Sequence, residues 1–187
     1  MGFEAVVRIM AGTGTPVITG HLGSSSKEAV LVALSWANIN LHNIVCWIDE
    51  PETKDYVLAP DRDVAIHFAN VAGLSKAGFS LGAAAATAIM GRFLEELYEM
   101  KLKKGVAITG EINLRGELLP VGDIFLKLRA AWRLRCTTVI VPEGNKAEID
   151  AALSSCTDGS LKQWISRALV IAKDMVDVLQ SVIEGKH

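Results

Sequence analysis

The sequence predicts a mixed α/β domain, because segments rich in β-branched residues alternate along the chain with longer segments whose apolar residues recur at helical spacing. Alternation of this kind is typical of a sheet covered by helices. The segments of strand character are bounded by glycine, proline or small polar residues, which favour turns. They span residues 6–10, 17–20, 63–68, 106–109 and 137–141.

The predicted helices begin at capping residues and carry apolar side chains three and four positions apart. The first helix begins at residues 24–26, with Glu28 in its first turn. The second begins at Ser80 with an alanine-rich run, continues through Met100 and stops at Gly105. The others cover residues 122–134, 146–153 and 173–184; the last follows a polar loop at 154–160, and residues 112–119 form a short hairpin or bent strand.

The composition is that of an ordinary globular protein. Of the 187 residues, 50% are hydrophobic and 21% are charged, and the formal net charge is −2. A chain of this length buries a core without disulfides or metals. Lys101, Lys103 and Lys104 form the only short basic run, which is best placed at a helix C-terminus. A nucleic-acid partner is therefore not implied.

The cysteine and histidine residues point to an intracellular protein without a metal site. Cys46, Cys136 and Cys156 have no Cys-x-x-Cys spacing, so we expect reduced thiols. Neither they nor the four histidines have metal-ligand spacing. We expect no N-terminal signal segment, and the sequence has no apolar run long enough to cross a bilayer. We expect a soluble protein of the cytoplasm or an organelle matrix that is neither secreted nor bound to a membrane.

Several segments carry distinctive motifs in a fixed order. They are Thr19-Gly20-His21-Leu22-Gly23 with Lys27-Glu28, the strand 63–67, the serine loop 75–82, and a block at 109–142 that contains Thr-Gly-Glu-Ile, Leu-Arg-Gly and Leu-Pro-Val-Gly. Together they resemble the proteolytic domain of Lon proteases over nearly the whole chain. The block at 109–142 is highly specific, whereas the serine loop alone is weak. The resemblance implies a mixed sheet flanked by helices, similar to ribosomal protein S5 domain 2.

The chain departs from the family pattern close to the expected site. Several family residues are replaced: the first histidine of a His-x-His strand by Ala65, an acidic residue by Ala77, a proline by Phe79, and the lysine and glutamate before the catalytic lysine by Phe125 and Leu126. The gap between serine and lysine is also a few residues longer, which we place at the end of the helix near residues 93–104. The chain therefore resembles a diverged member of that family.

Ser80 and Lys127 fall at the positions of the family's nucleophile and base. A serine hydroxyl needs a base to take its proton, and a neutral lysine can do this without histidine. Lys127 lies in the first turns of a predicted helix among apolar neighbours, where the helix dipole and burial both disfavour the ammonium form. The alternatives are a solvated helix lysine for Lys127 and a simple helix N-cap for Ser80.

Supporting roles are predicted for five further residues. Gly78 and Phe79 precede the nucleophile in a turn that exposes its hydroxyl and directs backbone N–H groups towards an oxyanion. Thr109, at a strand end, would orient the lysine amine, or is only a β-branched strand residue. His67 would line the cleft, or is a histidine satisfied near the core edge. Glu111, like Glu28, is a contact behind the site or between subunits, or a solvated surface residue.

The resemblance implies partners that this chain does not contain. Lon proteases use an ATPase module to unfold substrates, and this chain has no Gly-x-x-x-x-Gly-Lys-Ser/Thr loop, so we expect no cofactor in this domain and an ATPase in cis or in trans, if one is used. We expect unfolded polypeptides as substrates and a six-fold ring of identical subunits in the intact protein. Residues 1–187 are interpreted as a single proteolytic domain, excised from or related to a larger ATPase-protease.

Other functions stay open at this point. The first alternative is a pseudoprotease that keeps the fold as an assembly or scaffold module, which the replaced residues near the serine favour. The retained set of Ser80, Lys127 and Thr109 favours an active Ser-Lys peptidase. The second alternative is a small-molecule kinase with a glycine-rich phosphate loop at residues 78–82, but the sequence has no clear metal-binding carboxylates for it.

Overall fold

The computed structural model describes residues 4–48, 62–69 and 78–184. The described chain is a mixed α/β fold, as the alternation of strands and helices predicts. Its helices are α1 (Ser24–Ile48), α2 (Gly82–Tyr98), α3 (Ile124–Arg133), α4 (Lys146–Ser155), α5 (Gly159–Ala168) and α6 (Met175–Val182). Two short 3₁₀ helices, Phe79–Leu81 and Glu143–Asn145, lead into α2 and α4.

The described strands form two three-stranded sheets and one hairpin. They are β1 (Glu4–Ala11), β2 (Val17–Thr19), β3 (Arg62–Ala69), β4 (Val106–Ile108), β5 (Glu111–Ile112), β6 (Leu118–Leu119), β7 (Thr138–Pro142) and β8 (Leu169–Ala172). In the mixed sheet β3 is central, antiparallel to β1 and parallel to β2. In the second sheet β7 is central and parallel to both β4 and β8. β5 and β6 form the hairpin predicted at 112–119.

The parallel sheet separates two hydrophobic clusters. On β7, Val139 and Val141 pack with apolar residues of α3, α4 and α5, whereas Ile140 packs with the larger cluster of α1, α2, α6 and the mixed sheet. Side chains that alternate between two covered faces are what a parallel strand between helices requires. The C-terminal ends of β4 and β7 lie at one edge of this sheet, because the two strands are parallel.

The predicted end of the second helix is wrong. The second helix ends at Tyr98 rather than continuing through Met100 to Gly105, and Glu99 terminates it with a left-handed backbone (φ 57°). The terminal amides of Glu99 and Met100 fold back to the last helical carbonyls, so the helix needs no glycine to end. The basic run that follows does bind a helix C-terminus, but that of α6: the Lys103 amine donates to the Ser181 carbonyl oxygen at 2.9 Å.

The polar loop predicted at 154–160 does not lead directly to the last helix, because α5 begins at Gly159 and is followed by β8. Asp158 caps α5, since its carboxylate accepts the Leu161 amide at 3.0 Å. Leu161 and Ile165 of α5 are buried, and their spacing is helical. The sequence therefore contains a helical signal for α5. The small polar residues from Ser154 to Ser160, which precede it, are typical of a loop and obscure this signal.

Candidate active site

Ser80 lies in the 3₁₀ helix Phe79–Leu81, which runs directly into α2. Gly78, just before it, has φ 112°, a backbone angle that residues other than glycine rarely adopt. The Phe79 side chain is 38% exposed, and Ser80 is half-buried. Within the described ranges, the Ser80 hydroxyl makes no hydrogen bond. The predicted turn before the helix is therefore present, and among the described residues the Ser80 hydroxyl has no hydrogen-bond partner.

The backbone carbonyl of Ser80 is bound by the end of β4. It accepts hydrogen bonds from the Gly110 amide at 3.0 Å and from the Thr109 hydroxyl at 3.2 Å. The Ala83 amide donates in return to the Gly110 carbonyl oxygen at 3.0 Å. Thr109 is itself buried and held on the sheet by its amide, which donates to Ile140. These bonds fix the first turn of α2 against the carboxyl edge of the parallel sheet.

The N-terminus of α1 binds the residue that precedes this turn. The Gly78 amide donates to the Ser25 hydroxyl at 2.9 Å, and the Ser26 hydroxyl donates to the Gly78 carbonyl oxygen at 3.0 Å. Ser26 is fully buried. The backbone around the serine is therefore held from both sides, by α1 before Ser80 and by β4 after it.

Lys127 is partly buried on the first turns of α3, as the sequence predicts. Its amine donates to the carbonyl oxygen of Gly122 at 2.5 Å. Burial lowers the pKa of Lys127, and the carboxylates of Asp123 and Glu148 oppose this effect because they stabilise the ammonium form. The net effect makes the amine easier to deprotonate than that of a solvated lysine.

Asp123 begins α3 in a strained conformation. It occupies the N-cap with a left-handed backbone (φ 56°), and its side chain caps no amide of the helix. Aspartate tolerates this region better than most residues, although glycine adopts it at lower cost. Its carboxylate adds a negative charge close to Lys127, so it acts on the lysine through charge rather than as a cap.

Asn145 holds the loop that carries Gly122. Its side-chain oxygen accepts the Val121 amide at 3.0 Å, and its NH₂ donates to the Val121 carbonyl oxygen at 2.8 Å and to Glu148 at 3.3 Å. Asn145 is only 3% exposed and lies in the 3₁₀ helix that follows β7. The loop before Lys127 is thus attached to the same sheet edge that binds the Ser80 carbonyl.

The structure brings some of the predicted site residues together and leaves others apart. It places four of them together: Gly78, Phe79 and Ser80 are consecutive residues, and Thr109 donates a hydrogen bond to the Ser80 carbonyl oxygen. Ser80 and Lys127 are attached to one sheet edge, but in the described parts of the chain no hydrogen bond joins their side chains. The Thr109 hydroxyl binds the Ser80 backbone, and its predicted role towards the lysine amine stays a prediction.

His67 and Glu111 occupy positions further from these contacts. His67 is exposed on β3, where its Nδ1 is 2.8 Å from the Thr19 hydroxyl of β2. Glu111 is half-buried on β5 opposite Leu119, and within residues 78–184 its carboxylate has no ion pair or hydrogen bond. Among the described residues no group of three or more histidine, cysteine or acidic side chains is arranged to hold a metal ion.

Part of the predicted pattern lies outside the described residues, namely Ser75, Lys76 and Ala77 of the serine loop and the Cys46 side chain. Cys136 and Cys156 are free thiols. No helix within residues 4–48 or 78–184 is long and apolar enough to cross a membrane.

Three residues that contribute to this arrangement were not predicted as site residues: Ser25, Ser26 and Asn145. The two serines look like ordinary helix-capping residues in the sequence, and only the tertiary structure shows that they bind Gly78. Asn145 follows the strand that ends in Val141-Pro142, and polar residues at the carboxyl ends of parallel strands are a known signal for sites.

Comparison with known proteins shows which protein family and which individual proteins the chain is similar to. Residues 3–183 match the family model of the Lon protease (S16) C-terminal proteolytic domain. Peroxisomal Lon protease homolog 2 of Arabidopsis thaliana is 32% identical over 179 residues, which is 94% of this chain and 18% of that protein. Lon protease of Chloroherpeton thalassium is 34% identical over 181 residues, which is 94% of this chain and 19% of that protein.

Lon protease of Aquifex aeolicus is 37% identical over 144 residues, which is 75% of this chain and 16% of that protein. In each case the chain spans less than a fifth of the relative's length. The similarity therefore concerns one region of much longer proteins.

Proposed function

Because the chain belongs to the Lon protease (S16) C-terminal proteolytic domain family, we propose that it is a serine peptidase domain in which Ser80 is the nucleophile and Lys127 the base. The observation that carries this proposal is that the family match runs from residue 3 to residue 183 and so includes both residues. The fold supports it, since both residues are tied to the carboxyl edge of the parallel sheet. That edge is where α/β proteins commonly place their sites.

In the proposed reaction the neutral Lys127 amine takes the proton of the Ser80 hydroxyl as its oxygen attacks the carbonyl carbon of a peptide bond. The carbonyl oxygen becomes an oxyanion, which backbone amides at the start of the 3₁₀ helix would stabilise, because the first N–H groups of a helix lack intrahelical acceptors. The protonated lysine then returns the proton to the leaving amine, and the peptide C–N bond breaks. Water hydrolyses the resulting ester and regenerates Ser80.

The lowered pKa of Lys127 supports the role of base, because an ammonium cannot accept a proton. In the structure its amine donates to the Gly122 carbonyl oxygen. The proposed reaction requires the amine to leave this acceptor and turn to Ser80, which the flexible four-carbon stem of lysine permits. Catalytic hydrogen bonds often form only when substrate is bound.

Substrates and partners are part of the same proposal. The relatives are named Lon proteases, and the chain spans less than a fifth of their length. We propose that it cleaves unfolded polypeptides, that an ATPase module in cis or in trans delivers them, and that the intact protein forms a homo-oligomeric ring inside the cell.

The alternative is a scaffold domain of the same fold without peptidase activity. The bond between the Lys127 amine and Gly122 favours this alternative, as does the replacement of the acidic residue and the proline before Ser80 by Ala77 and Phe79. An active site and a scaffold differ in one measurable property, the reactivity of the Ser80 hydroxyl.

Labelling with a serine-directed fluorescent phosphonate tests the proposal. We expect the wild-type protein to be labelled and to hydrolyse an unfolded protein substrate, and Ser80→Ala to do neither while its melting temperature is unchanged. Ser154→Ala is the matched control, because Ser154 is exposed and its hydroxyl bonds, among the described residues, only to Asp150 of its own helix. Absence of labelling in the wild type, or equal labelling of Ser80→Ala, would favour the scaffold.

A further inference from the structure

Two serines at the start of α1 form hydrogen bonds with both the N–H and the C=O group of Gly78. Ser25 accepts the Gly78 amide at 2.9 Å and Ser26 donates to the Gly78 carbonyl oxygen at 3.0 Å. The two serines are adjacent in sequence, and more than fifty residues separate them from Gly78. A residue held at its N–H and its C=O cannot rotate either neighbouring peptide without breaking one of the bonds.

The conformation held in this way is an uncommon one. Gly78 has φ 112° and ψ 155°, and a Cβ placed on it would meet no atom of residues 4–48, 62–69 or 78–184 within 4 Å. Glycine is therefore required here for its backbone angle. A glycine also has the most freedom to leave such a conformation, so external hydrogen bonds matter more here than at another residue.

The serines that make these bonds are rigidly placed. α1 begins at Ser24, and the Lys27 amide donates to the Gly23 carbonyl oxygen at 3.0 Å, which closes the first turn. Ala29 and Val30, which follow directly, are buried in the larger core cluster. Ser26 is 0% exposed, and a buried hydroxyl at a packed helix start has few alternative positions.

Gly78 lies two residues before Ser80, and the carbonyl of Ser80 is bound on its other side by Thr109 and Gly110. We propose that Ser25 and Ser26 are positioning residues for the nucleophile, a role that rests on the proposed function. They fix the peptide units that lead into Ser80, so that its hydroxyl keeps one direction relative to the sheet edge. Neither serine touches the reacting atoms in this proposal.

The test compares Ser25→Ala and Ser26→Ala with Ser24→Ala, which removes an exposed serine from the same turn. We expect Ser24→Ala to behave like the wild type. For the other two we expect kcat for a peptide substrate, and the rate of phosphonate labelling of Ser80, to fall by about tenfold to a hundredfold, since small misplacements of a nucleophile have effects of this size. KM should change by less than about twofold, because substrate contacts are not removed.

Ser25→Thr provides the rescue, since threonine keeps the hydroxyl that accepts the Gly78 amide. We expect its kcat to return to within about twofold of the wild type, a result that general loosening of the fold would not give. If Ser25→Ala and Ser26→Ala are both labelled at the wild-type rate while Ser80→Ala is not labelled, the proposed positioning role is wrong and the proposed function stands.

Hydrogen exchange of the Gly78 amide, followed by NMR, gives a readout that does not depend on activity. We expect this amide to be protected in the wild type and in Ser24→Ala, and to exchange at least about tenfold faster in Ser25→Ala, because its acceptor is lost. Equal protection in Ser25→Ala would overturn the positioning role. If the wild type proves unreactive to the phosphonate, the proposed function fails, and this exchange measurement alone decides whether the serines hold the turn.

Discussion

Asn145 binds both backbone groups of Val121, with its side-chain oxygen 3.0 Å from the Val121 amide and its nitrogen 2.8 Å from the Val121 carbonyl oxygen. The asparagine side chain thus makes the two hydrogen bonds that a neighbouring strand would make to the backbone of Val121. It connects the loop before Lys127 to the end of β7, and through the parallel sheet to the strand end that binds Ser80. The two halves of the candidate site therefore share one rigid support.

Asn145→Leu should destabilise the protein strongly. Leucine has a similar size but leaves the amide and carbonyl of partly buried Val121 without partners, so we expect a loss of about 2 kcal/mol or more in the free energy of unfolding. Urea unfolding followed by circular dichroism measures this. The control is Ser154→Ala, which should change the free energy by less than about 0.5 kcal/mol. A similarly small effect of Asn145→Leu would contradict the structural role of the amide.

Thr109→Val should separate stability from reactivity. The Ser80 carbonyl keeps its bond from the Gly110 amide, so the free energy of unfolding should fall by only about 1 kcal/mol. The direction of Ser80 is less well fixed, and we expect phosphonate labelling to slow by about tenfold. Thr109→Ser keeps the hydroxyl and should be labelled almost as fast as the wild type. Equal labelling of Thr109→Val and Thr109→Ser would show that this bond does not affect the nucleophile.

Gly116→Ala should destabilise the contact between the β5–β6 hairpin and α1. Gly116 has φ 82°, and an added Cβ would lie 2.4 Å from the indole nitrogen of Trp36, a residue that is only 2% exposed. The left-handed backbone and the overlap together should cost about 2 kcal/mol or more. Gly159→Ala is the control, because a Cβ there meets no described atom within 4 Å and a helix favours alanine over glycine. A melting temperature equal to that of Gly159→Ala would refute the overlap.

The elements that the sequence predicted well are those with strong local signals. β7 is a run of β-branched residues before Pro142, and α3 follows the turn at Gly122 and Asp123, so each was placed within one or two residues. The end of α2 was wrong because a left-handed Glu99 ended the helix where no glycine or proline marks it. α5 and β8 are not predicted, because the polar segment 154–160 obscures the helical spacing of Leu161 and Ile165.

The candidate site was predicted by resemblance more than by local pattern. Ser80 and Lys127 could be named from motif positions, and the predicted place of Lys127 in the first turns of a helix is confirmed. The contacts that hold them could not be predicted, because the bonds between Gly78 and Ser25 and between Val121 and Asn145 join residues 53 and 24 positions apart. Hydrogen bonds over such separations depend on the tertiary fold and leave no periodic signal in the sequence.

The pH dependence of activity should report the environment of Lys127. Its pKa lies below the ordinary value of 10.5 because of burial, so the neutral amine forms at a lower pH than in a solvated lysine. Peptidase activity should therefore rise with pH and level off above the lowered pKa. Lys127→Met should be inactive for lack of a base, and Lys127→Arg should be inactive because guanidinium stays protonated. Full activity in Lys127→Met would exclude Lys127 as the base.

The same pKa shift has a consequence for stability. Between the lowered pKa and 10.5 the unfolded chain binds more protons at Lys127 than the folded protein does, so the free energy of unfolding should rise with pH in that window. The contribution is fully present above 10.5 and is lost as the pH falls towards the lowered pKa. Urea unfolding of the wild type and Lys127→Met across this range measures it, and Lys127→Met should lack this part of the slope.

The pH–activity profile of Glu148→Gln should lie at lower pH than that of the wild type. The Glu148 carboxylate stabilises the Lys127 ammonium, so removing its charge lets burial lower the pKa further. Glutamine keeps the length of the side chain and an oxygen that can accept from Asn145, so the loop should stay in place. Asp150→Asn is the matched control: it removes a carboxylate from α4 that does not act on Lys127, and its profile should coincide with that of the wild type. A Glu148→Gln profile that coincides with the wild type, or moves to higher pH, would mean that the titrating base is not Lys127.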